Sequence, residues 1–515
     1  MKRLIVCCDG TWNNPDQEDN GIPAPTNVFK IYNAIAEQDS QNKEQLKYYH
    51  PGVGGEGGIV DSILGGAVGA GISRHICSAY HWLGSNYADG DEIYLYGFSR
   101  GAFTARSLGG FLGRGLLDLR QLKPEDSWTR VKAAYDKGYR IKEAKRKDWA
   151  EDGWIFFHDG ATPIHFIGVW DTVGALGVPD DLEILNFFDD TSKWEFHDTA
   201  LGDHVKTARH AMAIDEVRSC FTITRWSNAA DHQGAKEIWF PGVHSDVGGG
   251  YSNCELADGA LLWMMGESHT QGLEFRKNAE QTIKADPLGV LHNSYKGAFA
   301  KLRSRPRNIP AMVDQNQNQF HQSALDRQKV SPISYPPYHP TKILDHDTQH
   351  TVEIFANTHW NYTGIYLEKE KSYIFSATGQ WQDSKDTCDW KGTEDGKLST
   401  GDIIRATSSF LGSFENIFKK LTKNNSTDFL GTKRVESLKW FTMVGAITND
   451  AGEGADQVVT NDGSPVQHQY VDLVAHEKDP LQITASGYLY CFPNDVWSLY
   501  GNNRGSVRLT VRCVK

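Results

Sequence analysis

Residues 3–8, Arg-Leu-Ile-Val-Cys-Cys, open the chain with a short run that is almost wholly apolar and halts at Asp9-Gly10. Comparable strand-like stretches recur at 46–50, 93–96, 164–170, 210–214 and 237–240. Runs that stay apolar at successive positions suit strands covered on both faces, as in a parallel sheet. Between them, apolar residues at helical spacing predict helices over 27–38, 72–86 and 125–148. Strands alternating with helices predict a mainly parallel, doubly wound α/β sheet, with its functional loops at the carboxyl ends of the strands.

From about residue 272 the periodicity loosens, and the prolines at 336, 337 and 340 mark a boundary. Beyond them the alternation has period two, at 373–378, 481–485 and 507–511, with turn residues between and little helical spacing. The expected organisation is therefore an α/β catalytic domain over 1–345 followed by an all-β sandwich over 350–515.

The stretch 91–106, DEIYLYGFSRGAFTAR, carries the candidate chemistry. Its strand runs into Gly97-Phe98-Ser99-Arg100-Gly101 and then into a helix of small residues, the pattern of a nucleophile elbow. Serine there stands on a tight turn, and the glycines allow neighbouring elements to approach closely. A serine hydroxyl needs a base, and the base needs an acid to fix its tautomer. His244, in His244-Ser245-Asp246-Val247-Gly248-Gly249-Gly250, follows the last strand of the α/β unit and is the expected base. Three consecutive glycines imply a loop that is either mobile or tightly folded. Two acids compete: Asp171 in VWDTV and Asp215 in AIDEV each end a strand. The strand just before the histidine's is the usual place for the acid, which favours Asp215 and keeps Asp171 as the alternative. An oxyanion hole would use the amide of Arg100 and one from Gly10 or Thr11 in the Asp9–Asn14 loop, with Asp9 bracing that loop.

Composition narrows the partners. With a net charge of −12 over 515 residues, the chain lacks the basic excess that nucleic-acid binding demands. The run Lys142–Lys147 reads as a solvated helix face. The eight cysteines lack metal-site spacing and read as reduced core thiols, with Cys388–Cys491 or Cys491–Cys513 as the bridges to test. MKRLIVCC reaches Asp9 after five apolar residues, too few for a signal-peptide core, and no window is apolar enough for a membrane helix.

Taken in order, LIVCCDGTWNN, GFSRGAFTAR, VWDTVGALG, AIDEVRSCF and WFPGVHSDVGGGY resemble the α/β-hydrolase family that contains the type VI secretion lipase effectors, over about 1–345. The resemblance implies a Ser-Asp-His esterase acting on phospholipid esters. It further implies synthesis in the cytoplasm without a cleaved leader and contact-dependent export to target-cell membranes. A secretion-machinery component or an immunity protein is then the expected protein partner.

Near the end, Asn494–Asn503 gathers oxygen-bearing side chains in one short loop, a donor set suited to calcium. YGNNRGSVRLTV, with SATGQWQD upstream, resembles the PA-I type galactose-binding bacterial lectins over most of 355–515. That resemblance implies a calcium ion held by Asp495, Leu499, Asn502 and Asn503, with a backbone oxygen from Asp383. It also implies sugar contacts from Asp495 and Asn502. Two other functions compete with a serine esterase carrying a glycan-binding module. One is a glycan-binding protein whose hydrolase-like domain is structural; the other is a metal-dependent hydrolase using His244, Asp246 and Asp9.

Overall fold

The computed structural model describes residues 1–10, 13, 15–52, 67–174, 199–297, 299–301, 303–330, 337–393, 433–449 and 465–515. By contact density the chain divides into two compact units. Met1–Arg307, Gln317–Ile333 and Val459–Pro465 form one; Asn308–Asn316, Ser334–Val458 and Val466–Lys515 form the other.

The first unit is built on β1 (Arg3–Cys8), β2 (Gln45–His50), β3 (Glu92–Phe98), β4 (Phe166–Trp170), β5 (Ala208–Ala213) and β6 (Ala235–Phe240). They lie in the order β2-β1-β3-β4-β5-β6, every pair parallel. Because side chains alternate along a strand, each apolar run serves two cores. Leu4 and Val6 of β1, with Ile93 and Leu95 of β3, pack with α2 (Ala67–Asn86) and α3 (Arg100–Leu112). Ile5, Cys7, Tyr94 and Tyr96 pack on the opposite face with α1 (Asn27–Ala34) and α5 (Glu255–Thr270). Between β6 and α5 stands a short helix, α4 (His244–Gly248). The doubly wound α/β expectation holds, and Asp9, Ser99, Asp171, Asp215 and His244 all lie just past strand carboxyl ends.

Two helices differ from their sequence pattern. α1 stops at Ala34 because Ile35 turns extended and bridges Phe275. The 125–148 pattern divides into Pro124–Ala133, a π-helical turn Ala134–Tyr139 and Arg146–Trp149. The charged run Lys142–Lys147 therefore begins as a turn, not a helix face. Arg114 binds the Lys142 carbonyl at 2.7 Å, and Arg146 caps the carbonyls of His158 and Gly160 at 2.9 and 2.8 Å.

The second unit contains two largely antiparallel five-stranded sheets. One orders Gln349–Phe355, Arg504–Cys513, Ser372–Asp383 and Asp386–Cys388, with Leu481–Gln482 also on Ser372–Asp383. The other orders Gln469–Asp472, Met443–Asn449, Gly487–Pro493, Asn361–Leu367 and Lys342–Ile343. Their shared core includes Phe375, Trp381, Leu509 and Val511 from one sheet and Ile365, Met443, Ile447 and Leu489 from the other. The strand Lys342–Ile343 and the segment Asn308–Asn316 both belong to this unit, so it starts before the expected boundary at 345–350. All eight cysteines are free thiols. Among the described residues, no helix is long and apolar enough to cross a membrane.

Candidate active site

Ser99 separates β3 from α3 with φ 58° and ψ −125°, a left-handed backbone that a non-glycine residue adopts only when its surroundings enforce it. The enforcement is visible in the flanking glycines. A Cβ at Gly101 would overlap the carbonyl oxygen of Cys8, and one at Gly97 would overlap that of Gly101. The first turn of α3 is thereby pressed onto the end of β1. A Cβ at Gly10 would approach the Ser99 Cβ to 3.2 Å, so the loop after β1 runs directly beside the serine.

His244 begins α4 and is buried between the rings of Phe98 and Phe221, with centroids at 4.6 and 4.9 Å. The glycine run is tightly folded, not mobile. A Cβ at Gly248 would collide with the Phe98 ring, and one at Gly249 would come 2.8 Å from the Asn27 nitrogen. Asn27 in turn donates to the carbonyls of Val247 and Ala257 at 2.9 and 2.8 Å, tying α1 to the histidine loop.

The His244 Nδ1 lies 2.6 Å from Asp171 Oδ2. Of the two candidate acids, the carboxylate bonded to the imidazole is that of Asp171, where strand order favoured Asp215. Asp215 Oδ2 accepts the Gly242 amide at 2.7 Å and braces the turn that leads to the histidine. Asp171 takes φ 40°, turning off the end of β4 with its side chain fully buried.

Asp171 has further partners. Its Oδ1 accepts the Ala213 amide at 2.9 Å, and Arg307 spans both oxygens at 2.5 and 2.9 Å. Burial alone would raise this carboxyl's pKa, but the Arg307 charge and the bonds from His244 and Arg307 outweigh it and hold the group well below the usual range. Burial is also the main influence on His244 and lowers its pKa, offset only in part by Asp171. Beneath the histidine, Glu216 accepts the His244 amide at 3.3 Å and is paired with Arg218 at 2.7 Å. Neither Glu216 nor Arg307 was singled out from sequence. Glu216 lies inside the motif AIDEVRSCF, whereas Arg307 sits in an aperiodic stretch that gives no comparable signal.

Asp9 braces its loop as expected. Its Oδ2 accepts Thr26 Oγ1 at 2.6 Å and the Tyr49 hydroxyl at 2.7 Å, while Oδ1 accepts the Gly10 amide at 2.7 Å. Burial pushes this carboxyl up to about 6 against those bonds. The Gly10 amide is thus engaged within the loop, and Thr11 lies outside the described residues. The metal-hydrolase grouping of His244, Asp246 and Asp9 does not form: Asp246 pairs with His292 at 2.6 Å. Among the described residues, no three His, Cys, Asp or Glu side chains gather to hold a metal.

In the second unit, Asp495 is buried, with Oδ2 2.9 Å from Asn503 Nδ2 and Oδ1 2.6 Å from the Val496 amide. Asn502 Nδ2 reaches Asp383 Oδ1 at 3.5 Å. The side-chain oxygens of Asn502 and Asn503 are both buried without a hydrogen-bond partner. Buried acceptors of this kind normally find donors, so a pair of them beside a buried carboxylate fits an oxygen-coordinated cation.

Residues 2–267 match the T6SS phospholipase effector Tle1-like catalytic domain. The chain belongs to that family. A Saccharomyces cerevisiae protein named Uncharacterized protein YEL023C is 33% identical over 243 residues, 43% of this chain and 33% of its own length. The chain thus spans about a third of that relative. An uncharacterized Pseudomonas aeruginosa protein of known structure is similar over 55% of this chain and 49% of its own, at 18% identity and a TM-score of 0.34. A Tle1 effector solved bound to the VgrG spike of the type 6 secretion system covers 49% of this chain and 51% of its own, at 21% identity and a TM-score of 0.28. The EclA N-terminal domain, a PllA-like lectin, covers 32% of this chain and 94% of its own, at 14% identity and a TM-score of 0.15.

Proposed function

We propose that this Tle1-like chain is a serine hydrolase of phospholipid carboxyl esters, using Ser99, His244 and Asp171. The observation that carries the reading is the buried His244–Asp171 bond at the sheet edge that also holds the strained Ser99 turn. In this reading the Ser99 oxygen attacks the ester carbonyl carbon while His244 Nε2 takes its proton. Asp171 keeps the other ring proton on Nδ1 and stabilises the imidazolium. The oxyanion is received by the Arg100 amide at the start of α3, with a second donor from the loop after β1. Collapse returns the histidine's proton to the leaving alcohol and leaves an acyl-serine, which water clears by the same proton route. Family membership supports phospholipid as the substrate class and delivery by a type VI system as the route, with a secretion-machinery component or immunity protein as partner.

The second unit is read as a calcium-dependent glycan-binding or targeting module. Asp495, Asn502, Asn503, the Leu499 carbonyl and an Asp383 oxygen would hold the ion, with Asp495 and Asn502 facing a sugar. The orphaned amide oxygens support this assignment. The test of the catalytic reading is a p-nitrophenyl-ester and lipid-class panel with wild type and Ser99→Ala, alongside labelling by a fluorophosphonate. Loss of both turnover and labelling is expected. A folded Ser99→Ala protein keeping a tenth of the wild-type rate would overturn it.

A further inference from the structure

We propose that Arg307 is a positioning residue for ester hydrolysis, clamping Asp171 so that the acid holds His244 in one orientation. The inference rests on the Ser99-His244-Asp171 reading above and adds a member that acts through the acid, without touching substrate.

The geometry is a closed fork. One guanidinium nitrogen donates to Asp171 Oδ1 at 2.5 Å and to the Ala213 carbonyl at 2.8 Å. The other donates to Asp171 Oδ2 at 2.9 Å and to the Phe221 carbonyl at 2.9 Å. Parallel bonds from a planar guanidinium fix the plane of a carboxylate as well as its distance, which a lysine ammonium cannot do. Two backbone carbonyls fix the plane of the guanidinium in turn. Ala213 contributes twice, since its amide also binds Asp171 Oδ1 at 2.9 Å. Phe221 does so as well: its carbonyl anchors the clamp and its ring packs on the imidazole. The clamp and the histidine therefore share one rigid frame.

The charges around the imidazole explain why the clamp is cationic. His244 faces Asp171 at its ring and Glu216 at its amide, two buried carboxylates. Arg218 matches Glu216, and Arg307 matches Asp171. His210, which accepts the Thr172 amide at 3.1 Å behind Asp171, is itself bonded to Glu237 at 3.1 Å. Asp246, two residues further along α4, is taken up by His292. Removing Arg307 leaves one unmatched negative charge beside the imidazole and favours its protonated form. A histidine protonated at working pH cannot take the serine proton, so the clamp keeps the base available as well as oriented.

The experiment uses the full-length chain with Arg307→Gln, Arg307→Lys and Ser99→Ala. Steady-state kinetics on p-nitrophenyl butyrate across pH is paired with NMR titration of the His244 ring, the latter on a Ser99→Ala background. Arg307→Gln is expected to lower kcat about 100-fold with KM little changed, and to raise the His244 midpoint by about one pH unit. Arg307→Lys restores the charge without the fork. Its midpoint should return toward wild type while kcat stays about tenfold low. A folded Arg307→Gln protein with an unshifted midpoint overturns the proposal. If that variant does not fold, wild-type kcat in Arg307→Lys overturns it instead. Turnover surviving in Ser99→Ala would defeat the triad reading whatever Arg307 does. A dead Ser99→Ala beside a kinetically normal Arg307→Gln defeats only the clamp.

Discussion

Replacing Asp171 by asparagine tests the choice of acid most sharply. The carboxylate is fully buried, bonded to His244 at 2.6 Å and bridged by Arg307 at 2.5 and 2.9 Å. An amide in its place cannot satisfy both neighbours. If its oxygen faces the guanidinium, its NH2 faces His244 and selects the tautomer that cannot accept the serine proton. Comparable tautomer errors cost about 10⁴ in kcat, equivalent to roughly 5 kcal/mol of transition-state stabilisation. The substitution also leaves Arg307 buried without its counter-ion, which should cost about 3–5 kcal/mol of folding stability. Asp215→Asn is a different change. Its amide oxygen can still accept the Gly242 N–H, so that bond loses its charge assistance, about 1 kcal/mol, and the rate should fall less than tenfold. The assay is kcat/KM on a soluble short-chain ester well below each variant's melting temperature, with near-UV circular dichroism verifying the fold. A thousandfold loss in Asp215→Asn, or a tenth of the wild-type rate surviving in Asp171→Asn, would refute the reasoning.

Burial holds the His244 imidazole below its ordinary 6.5, and as the proposed base it must be neutral to act, so the acid limb of kcat/KM should have its midpoint below pH 6.5; a midpoint above 7 would contradict this. Gly248→Ala should drive a methyl into the Phe98 ring, lowering stability by about 1–3 kcal/mol and slowing turnover together, read by thermal melts and kcat. Asp495 is raised to about 6 by burial, so in metal-free protein its favourable contribution is full below about pH 4 and lost as pH rises past 6. At pH 7 the metal-free Asp495→Asn variant should therefore be more stable than wild type by up to about 3 kcal/mol. Added calcium should reverse that order, and melts with chelator and with calcium would show either the crossing or its absence.

Much of this arrangement could be read along the chain because it is local. The apolar runs at 3–8 and 93–96 are buried on both faces, and the glycines around Ser99 declare a turn that only close packing requires. The sandwich announced itself through alternation in 507–511, where Val507, Leu509 and Val511 point into one core. What escaped was non-local. Asp171 and Asp215 look alike in sequence, yet Asp171, whose φ is positive, is the one bonded to the imidazole. Arg307 lies 136 positions from the carboxylate it grips, in a segment without periodicity. The run Lys142–Lys147 carried helical composition, but backbone carbonyls captured by Arg114 and Arg146 hold its surroundings in a turn. The prolines near 336–340 lie close to Ser334, where the main segment of the second unit begins, whereas nothing in composition marked Asn308–Asn316 as part of it.

The path of the chain between the two units limits how the molecule can be taken apart. It leaves the first unit after Arg307, contributes Asn308–Asn316 to the second, and returns for Gln317–Ile333. The family match ends at residue 267, so a fragment cut there carries Ser99, Asp171 and His244 but discards Arg307 and also His292, the partner of Asp246. Such a fragment would retain every motif of the hydrolase resemblance and lack the residues that hold two of its acids in place. A fragment beginning at 350 loses the strand Lys342–Ile343 from its sheet. No single scission yields both units whole, so an exchange of C-terminal modules between relatives must carry residues 308–316 with it and leave 459–465 behind.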